Sequence, residues 1–187
     1  MKSFYSLLFI VFLIKNYNTS AQVKNCQSSH KISATTTSIY YSPENLRSDT
    51  FDIIKYTINL DITDFANQKI KGNTVVRYTP KLNGQTKISL DLLKLTIDSI
   101  TQNSTTLTYA YNDTLLRVNL PLSVNTTDTN NLIVYYQGTP QGDPAGWGGF
   151  SFSGNYAYNL GVGFGAKPHN YGRVWFPCFD NFVEKSK

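Results

Sequence analysis

The sequence predicts an all-β fold built from antiparallel sheets, and three observations carry that expectation. In Phe51 to Ile62, the residues Ile54, Tyr56, Ile58, Leu60 and Ile62 alternate with Lys55, Thr57, Asn59 and Asp61. A period of two places the first set on one face of a strand and the second on the other. Further strand-length apolar segments then recur at short spacing, separated by turn residues. No helical run lies between them, which excludes the crossover helices that a parallel sheet needs. One face of such a sheet would be buried, the other solvated or covered by a partner.

The chain starts with Met1-Lys2, an apolar run from Phe4 to Ile14 of eleven residues, and Thr19-Ser20-Ala21 before Gln22. That is the layout of a secretory signal peptide spanning 1–21, with cleavage expected after Ala21. A spanning helix needs ~20 apolar residues, so an anchor is the weaker reading. The protein is accordingly expected to be exported, whether periplasmic, secreted or at the cell surface. Taking 21 residues from 187 leaves 166, enough for one domain with its own core. Residues 22–49, rich in Ser, Thr, Asn and Lys, read as an extended lead-in.

The strand segments follow from Phe51 onward. Lys69 to Thr79 carries Ile70, Val76 and Tyr78 and is stopped by Pro80. Thr86 to Leu92 and Leu95 to Thr101 are short alternations. Thr105 to Tyr111 and Leu115 to Leu120 flank Asn112-Asp113-Thr114, which predicts a hairpin turn. Leu132 to Gln137 is a further strand, closed by Gly138 and Pro140.

Composition then shifts. Ten of the twelve glycines lie between Gly138 and Gly172, and eleven aromatics lie between Trp147 and Phe182. Glycine allows positive φ and close backbone approach, while aromatics supply contact area. This stretch reads equally as hairpins with glycine at bulges and turns, or as a loop lining a ligand cleft or domain interface. On the second reading Trp147, Phe150, Tyr156 and Tyr158 form a contact platform for a glycan or peptide, and the chain is a self-sufficient binding module.

Charge and titratable groups bound the chemistry. The formal net charge is +5, and subtracting Lys2 and Lys15 leaves +3 for residues 22–187. Lys and Arg are scattered singly, so no nucleic-acid partner is expected. Only two histidines occur, His30 and His169, and they cannot form a His-Glu-x-x-His zinc face. His169 reads as a loop hydrogen-bonder. No Gly-x-Ser-x-Gly is present, and Gly161-Val162-Gly163-Phe164-Gly165 lacks the helix a dinucleotide loop requires. The carboxylates are spread singly along strands and turns, most of them expected to face solvent, so neither catalytic nor metal-binding residues are assigned. Asp180 is the exception, because an Arg173/Asp180 pair could brace a strand. Cys26 and Cys178 could form a disulfide in an exported protein, but their settings favour two unpaired thiols.

The order of these segments resembles the N-terminal domain of the aminopeptidase N family of zinc metallopeptidases. The residues that carry the resemblance are Tyr56 to Ile62, Ile70 to Val75, Leu90-Asp91-Leu92, Leu95 to Ile100, Leu132 to Gly138 and Gly148-Gly149-Phe150. The closing piece is Arg173-Val174-Trp175-Phe176-Pro177-Cys178-Phe179-Asp180, which is similar to that family's Phe-Pro-Cys-Phe-Asp segment. Arg173, Trp175, Phe176, Pro177, Cys178 and Asp180 are thus the family-motif residues, expected on a strand.

The resemblance implies a saddle-like or sandwich N-terminal β-domain over residues 50–187, packed against a zinc catalytic domain that lies downstream. On this reading the chain is the front end of a larger protein, and zinc belongs to the catalytic domain alone. The domain would shape one wall of a cleft for peptide substrates. The family also places a Gln or Glu just before its Arg. Gly163 to Gly172 contains neither, so no substrate-binding residue is assigned; Asn181 and Phe182 also stand where the family has Glu-Pro.

Overall fold

The computed structural model describes residues 47–167 and 169–180. It opens with one helical turn, α1 (Arg47–Thr50), followed by ten strands. These are β1 (Phe51–Asp64), β2 (Lys69–Pro80), β3 (Gln85–Asp91), β4 (Thr96–Gln102) and β5 (Thr105–Thr106). There follow β6 (Tyr109–Tyr111), β7 (Leu115–Val124), β8 (Asn130–Gly138), β9 (Gly148–Ser153) and β10 (Tyr156–Gly163). All pairings are antiparallel, as the sequence predicts. A five-stranded sheet has the order β1-β2-β8-β4-β5, a three-stranded sheet the order β3-β7-β6, and β9 and β10 form a separate hairpin.

The larger sheet shows why alternation marks a strand but not its register. Ile53 pairs with Tyr78, yet Lys55 pairs with Arg77, so Ile54 is an extra residue in a bulge. The bulge keeps Phe51 and Ile53 on the same face as Tyr56 and Ile58. Phe51 and Ile53 are buried, whereas Tyr56, Ile58 and Leu60 are half-buried. A second irregularity between Asp61 and Asp64 leaves Ile62 exposed at 37%, against the expectation that it shares the buried face.

Rows Val76 and Tyr78 on β2, Leu132, Val134 and Tyr136 on β8, and Ile97 and Ile100 on β4 continue the buried face across the sheet. Ile88 and Leu90 on β3, with Leu116 and Val118 on β7, face them from the smaller sheet. All belong to one contiguous apolar cluster, which makes the two sheets a sandwich. The opposite face of the larger sheet carries polar pairs: Asn59 donates to Asn73 at 3.1 Å and Gln137 to Asp98 at 2.7 Å. Val75, Ile133 and Tyr135 share that face with them.

Two tyrosines lie fully inside this core with their hydroxyls paired. Tyr78 donates to Gln102 Oε1 at 2.9 Å, and Tyr136 lies 3.1 Å from the Thr74 hydroxyl. Burial pushes each phenol up to about 12 from 10.0.

One predicted strand divides. Thr105 to Tyr111 reads as a single strand, but β5 pairs with β4 in the larger sheet and β6 with β7 in the smaller. The chain crosses between layers at buried Leu107, whose amide donates to Ile100 O. Its alternation cannot show that the pairing partner changes. The Asn112-Asp113-Thr114 turn forms as expected: Asn112 Oδ1 accepts from the amides of Thr114 and Leu115, and Asp113 takes φ of 65°.

Candidate functional site

The candidate site is the glycine- and aromatic-rich stretch from Gly142 to Asp180, docked on one end of the sandwich. Its first part is the β9–β10 hairpin. Cα partners Phe152/Ala157 and Phe150/Asn159 share one face, Ser151/Tyr158 and Ser153/Tyr156 the other. Phe150 is buried in the core and Phe152 packs against it, while Tyr156 is 76% exposed and Tyr158 and Leu160 are half exposed. Phe150 therefore departs from the platform expected of Trp147, Phe150, Tyr156 and Tyr158: its pairing turns it inward. Trp147 stacks on Phe164 with ring centroids 4.6 Å apart, a partner the sequence did not single out.

The hairpin root is fixed by a carboxylate. Asp143 is buried, and both its oxygens accept from the Gly165 amide at 3.1 and 3.0 Å. Gly146 N donates to Asp143 O and Asp143 N to Gly148 O. At Gly148 the φ is +117° and an added Cβ would collide with Val162 O, so only glycine fits this crossing. Gly148, Gly149, Gly163 and Gly165 thus permit close approach of backbone or carboxylate. Gly161 to Gly165 closes β10 rather than opening a helix. His169 Nδ1 lies 3.2 Å from Gly163 O, the loop hydrogen bond expected of it.

The second part is a strap, residues 171–180. Here the sequence expectation needs correction: Arg173 to Asp180 is not a strand. Gly172–Val174 forms a 3-10 turn, and Trp175 and Phe176 both return amides to Gly172 O. Only Cys178 pairs as β-structure, in an isolated bridge to Asp91 with N···O distances of 2.7 and 3.0 Å. Pro177 lacks an N–H and cannot extend a ladder. The run is apolar because its side chains fill gaps. Phe176 packs edge-on against Tyr56 at 5.6 Å, and Trp175 lies against Phe176 and Phe150. Trp175 Nε1 and Asn170 Oδ1 are buried without a hydrogen-bond partner among the described residues.

Four charges organise the strap. Arg173 Nη1 lies 3.1 Å from Asp180 Oδ2, so the expected pair forms, although it braces a turn. That oxygen has no other side-chain partner among the described residues. Asp180 Oδ1 accepts from Gly172 N at 3.2 Å. Arg47 grips Asp91 bidentately at 2.9 and 2.7 Å, and Asp91 Oδ2 also accepts from Asp180 N at 2.9 Å. Burial pushes the Asp180 carboxyl up, while Arg173 and the Gly172 amide oppose the shift. Burial likewise raises the Cys178 thiol well above its ordinary value.

Asp91, Arg47 and Asp143 are the residues that sequence reasoning missed. Asp91 was expected to face solvent with the other carboxylates, but its side chain is only 16% exposed. Its place between Leu90 and Leu92, both fully buried, puts it by alternation on the opposite face and so gave no signal. Cys178 is buried and free of any disulfide. Residues 1–46 and 181–187, with Cys26, His30, Asn181 and Phe182, lie outside the described residues. Among the described residues, no three His, Cys, Asp or Glu side chains are grouped to hold a metal ion.

No protein-family model matches the chain, and no curated protein matches it. Solved structures do. An M1 zinc metallopeptidase from Deinococcus radiodurans superposes with a TM-score of 0.62 at 20% identity, covering 73% of this chain and 31% of that one. A mutant of it bound to a Tyr-Ser-Ala substrate gives 0.62 at 22% over the same shares. Native leukotriene A4 hydrolase from Saccharomyces cerevisiae gives 0.57 at 16%, covering 80% of this chain and 24% of that one. The chain thus has an all-β fold found in M1 metallopeptidase structures, and spans less than a third of their length.

Proposed function

We propose that this chain is the N-terminal β-domain of an exported aminopeptidase-like zinc metallopeptidase, a non-catalytic part that contributes one wall of the substrate cleft. The observation that carries the reading is the fold likeness to M1 metallopeptidases over 73% of the chain. The Arg173–Asp180 segment adds support, because it is seated as one ordered strap by residues on β3 and α1.

In the intact protein the partner is a zinc-bearing catalytic domain, and the substrates are peptides. Zinc, when bound there, supplies an activated water for peptide hydrolysis. The donor groups among this chain's described residues do not fit a zinc site. What this chain's residues do is structural: Asp143, Asp91 and Asp180 fix the loop and strap.

Zinc content and peptide turnover of the purified chain test the proposal, with the mature terminus read by mass spectrometry. The expected result is a chain beginning at Gln22, without stoichiometric zinc or hydrolysis, and a His-Glu-x-x-His coding sequence downstream of the Lys187 codon. Stoichiometric zinc or genuine turnover would overturn the non-catalytic role, and retention of Met1 would overturn export.

The exposed row Tyr156, Tyr158 and Leu160 supports a second reading, an extracytoplasmic binding module for a glycan or peptide. That reading requires saturable binding of such a ligand by the isolated chain, lost in Tyr158→Ala. The domain reading requires no such ligand.

A further inference from the structure

Asp91 stands where the α1 turn and the strap meet. Arg47, 44 residues upstream, donates two hydrogen bonds to its carboxylate, and Asp180, 89 residues downstream, donates its amide. One oxygen, Oδ2, serves both partners. The Asp91 backbone is also paired in both directions with Cys178. A second link runs beside the first, for the Arg47 guanidinium lies 5.6 Å from the centre of the Phe179 ring.

These contacts make the turn and the strap interdependent. With Arg47 docked, the anions Asp91 and Asp180 are matched by the cations Arg47 and Arg173. Without Arg47, Asp91 loses its ion-pair partner and both guanidinium hydrogen bonds, keeping the Asp180 amide as its side-chain donor. An uncompensated carboxylate of low exposure is costly, and the strap can relieve that cost by lifting away and letting water in. Cys178, Tyr171 and Tyr56 complete the surroundings, the last accepting the Phe179 amide at 2.9 Å.

We propose that Asp91 couples the α1 turn to the strap, so that seating of residues 171–180 is conditional on docking of Arg47. The turn ahead of β1 thereby acts as a clasp on the strap. Cleavage or displacement that removes Arg47 loosens the strap while the sandwich stays folded. Linkage is reciprocal, so a loosened strap also weakens the hold on Arg47.

Cys178 is the reporter, being buried within the strap and, after Cys26→Ser, the sole thiol of the full chain. Its labelling by 4,4′-dithiodipyridine at neutral pH follows the opening equilibrium of the strap. Arg47→Met is expected to accelerate labelling about 5–150-fold, the usual range of such couplings. Arg47→Lys, which restores charge without the two-pronged grip, falls between parent and Met variant. In both, the far-ultraviolet circular dichroism of the sandwich stays unchanged. Adding Asp91→Asn to Arg47→Met brings no further acceleration, because it removes the very carboxylate that the loss of Arg47 leaves uncompensated. Labelling of Arg47→Met at the parent rate, or multiplicative effects in the double variant, would overturn the proposal. If Asp91→Asn does not fold, the Met and Lys variants at position 47 still decide it.

Discussion

The sandwich of β1–β8 and the glycine-aromatic stretch from Gly142 to Asp180 are held together by different means. In the sandwich, ladders fix the backbone and one continuous apolar cluster fixes the faces. Each residue there is specified by neighbours two positions away and by the strand opposite. In the second region the ladders are short, and three carboxylates seat the chain instead. Asp143 holds an amide 22 residues on, Asp180 holds one 8 residues back, and Asp91 holds one 89 residues on. One region is a surface folded over itself; the other is a path pinned at a few polar points. The two should fail differently when disturbed.

The largest expected effect comes from a cavity in the sandwich. Leu116 on β7 is fully buried and pairs with Leu90 on β3, the strand that carries Asp91. Leu116→Ala is expected to cost about 2–5 kcal/mol. Because the strap docks on β3, urea unfolding followed by circular dichroism and by Trp175 fluorescence should shift together. Two separated transitions would show that the strap keeps its seat without an intact sandwich.

Next in size is the loss of a pin. Asp143→Ala leaves the Gly165 amide without its carboxylate and is expected to cost about 1–3 kcal/mol, confined to the hairpin root. Hydrogen exchange should quicken at Gly146, Gly163 and Gly165, while amides of β2 and β8 keep their protection. Uniform loss of protection would mean that the two regions form one cooperative unit.

The same contrast explains what the sequence could reveal. The antiparallel all-β class, the β1 and β2 strands and the Asn112 turn were legible, since alternation and turn chemistry are local signals. The switch of Thr105 to Tyr111 between sheets was not, because Leu107 alternates equally well whichever strand lies beside it. In the strap, Arg173 and Asp180 could be paired from eight residues of context. Its shape could not, for an apolar run with one proline is compatible with a strand or with a turn. Asp91 was hidden for another reason. Nothing around it shows that an arginine 44 residues earlier and an amide 89 residues later converge on one carboxylate.

The smallest effect is also the sharpest, because it reads the sign of one charge. Burial raises the Asp180 carboxyl above its ordinary 3.8 despite Arg173, so the folded state holds that proton more tightly than the unfolded chain. Its contribution to stability is therefore complete below 3.8 and lost as pH rises through the raised value. Asp180→Asn removes this titration while keeping an acceptor for the Gly172 amide. The difference in unfolding free energy between parent and variant should accordingly move in the variant's favour as pH climbs through that window, and stay level above it. Taking the difference cancels carboxyls shifted the other way, such as Asp61, which its Thr63 hydrogen bonds hold below 3.8. A difference that moves in the parent's favour would mean that Arg173 outweighs burial, making the ionised pair a net stabiliser of the strap. Asp180 would then be a clamp that acid opens, and the pins of this region would resemble ordinary surface ion pairs more than buried anchors.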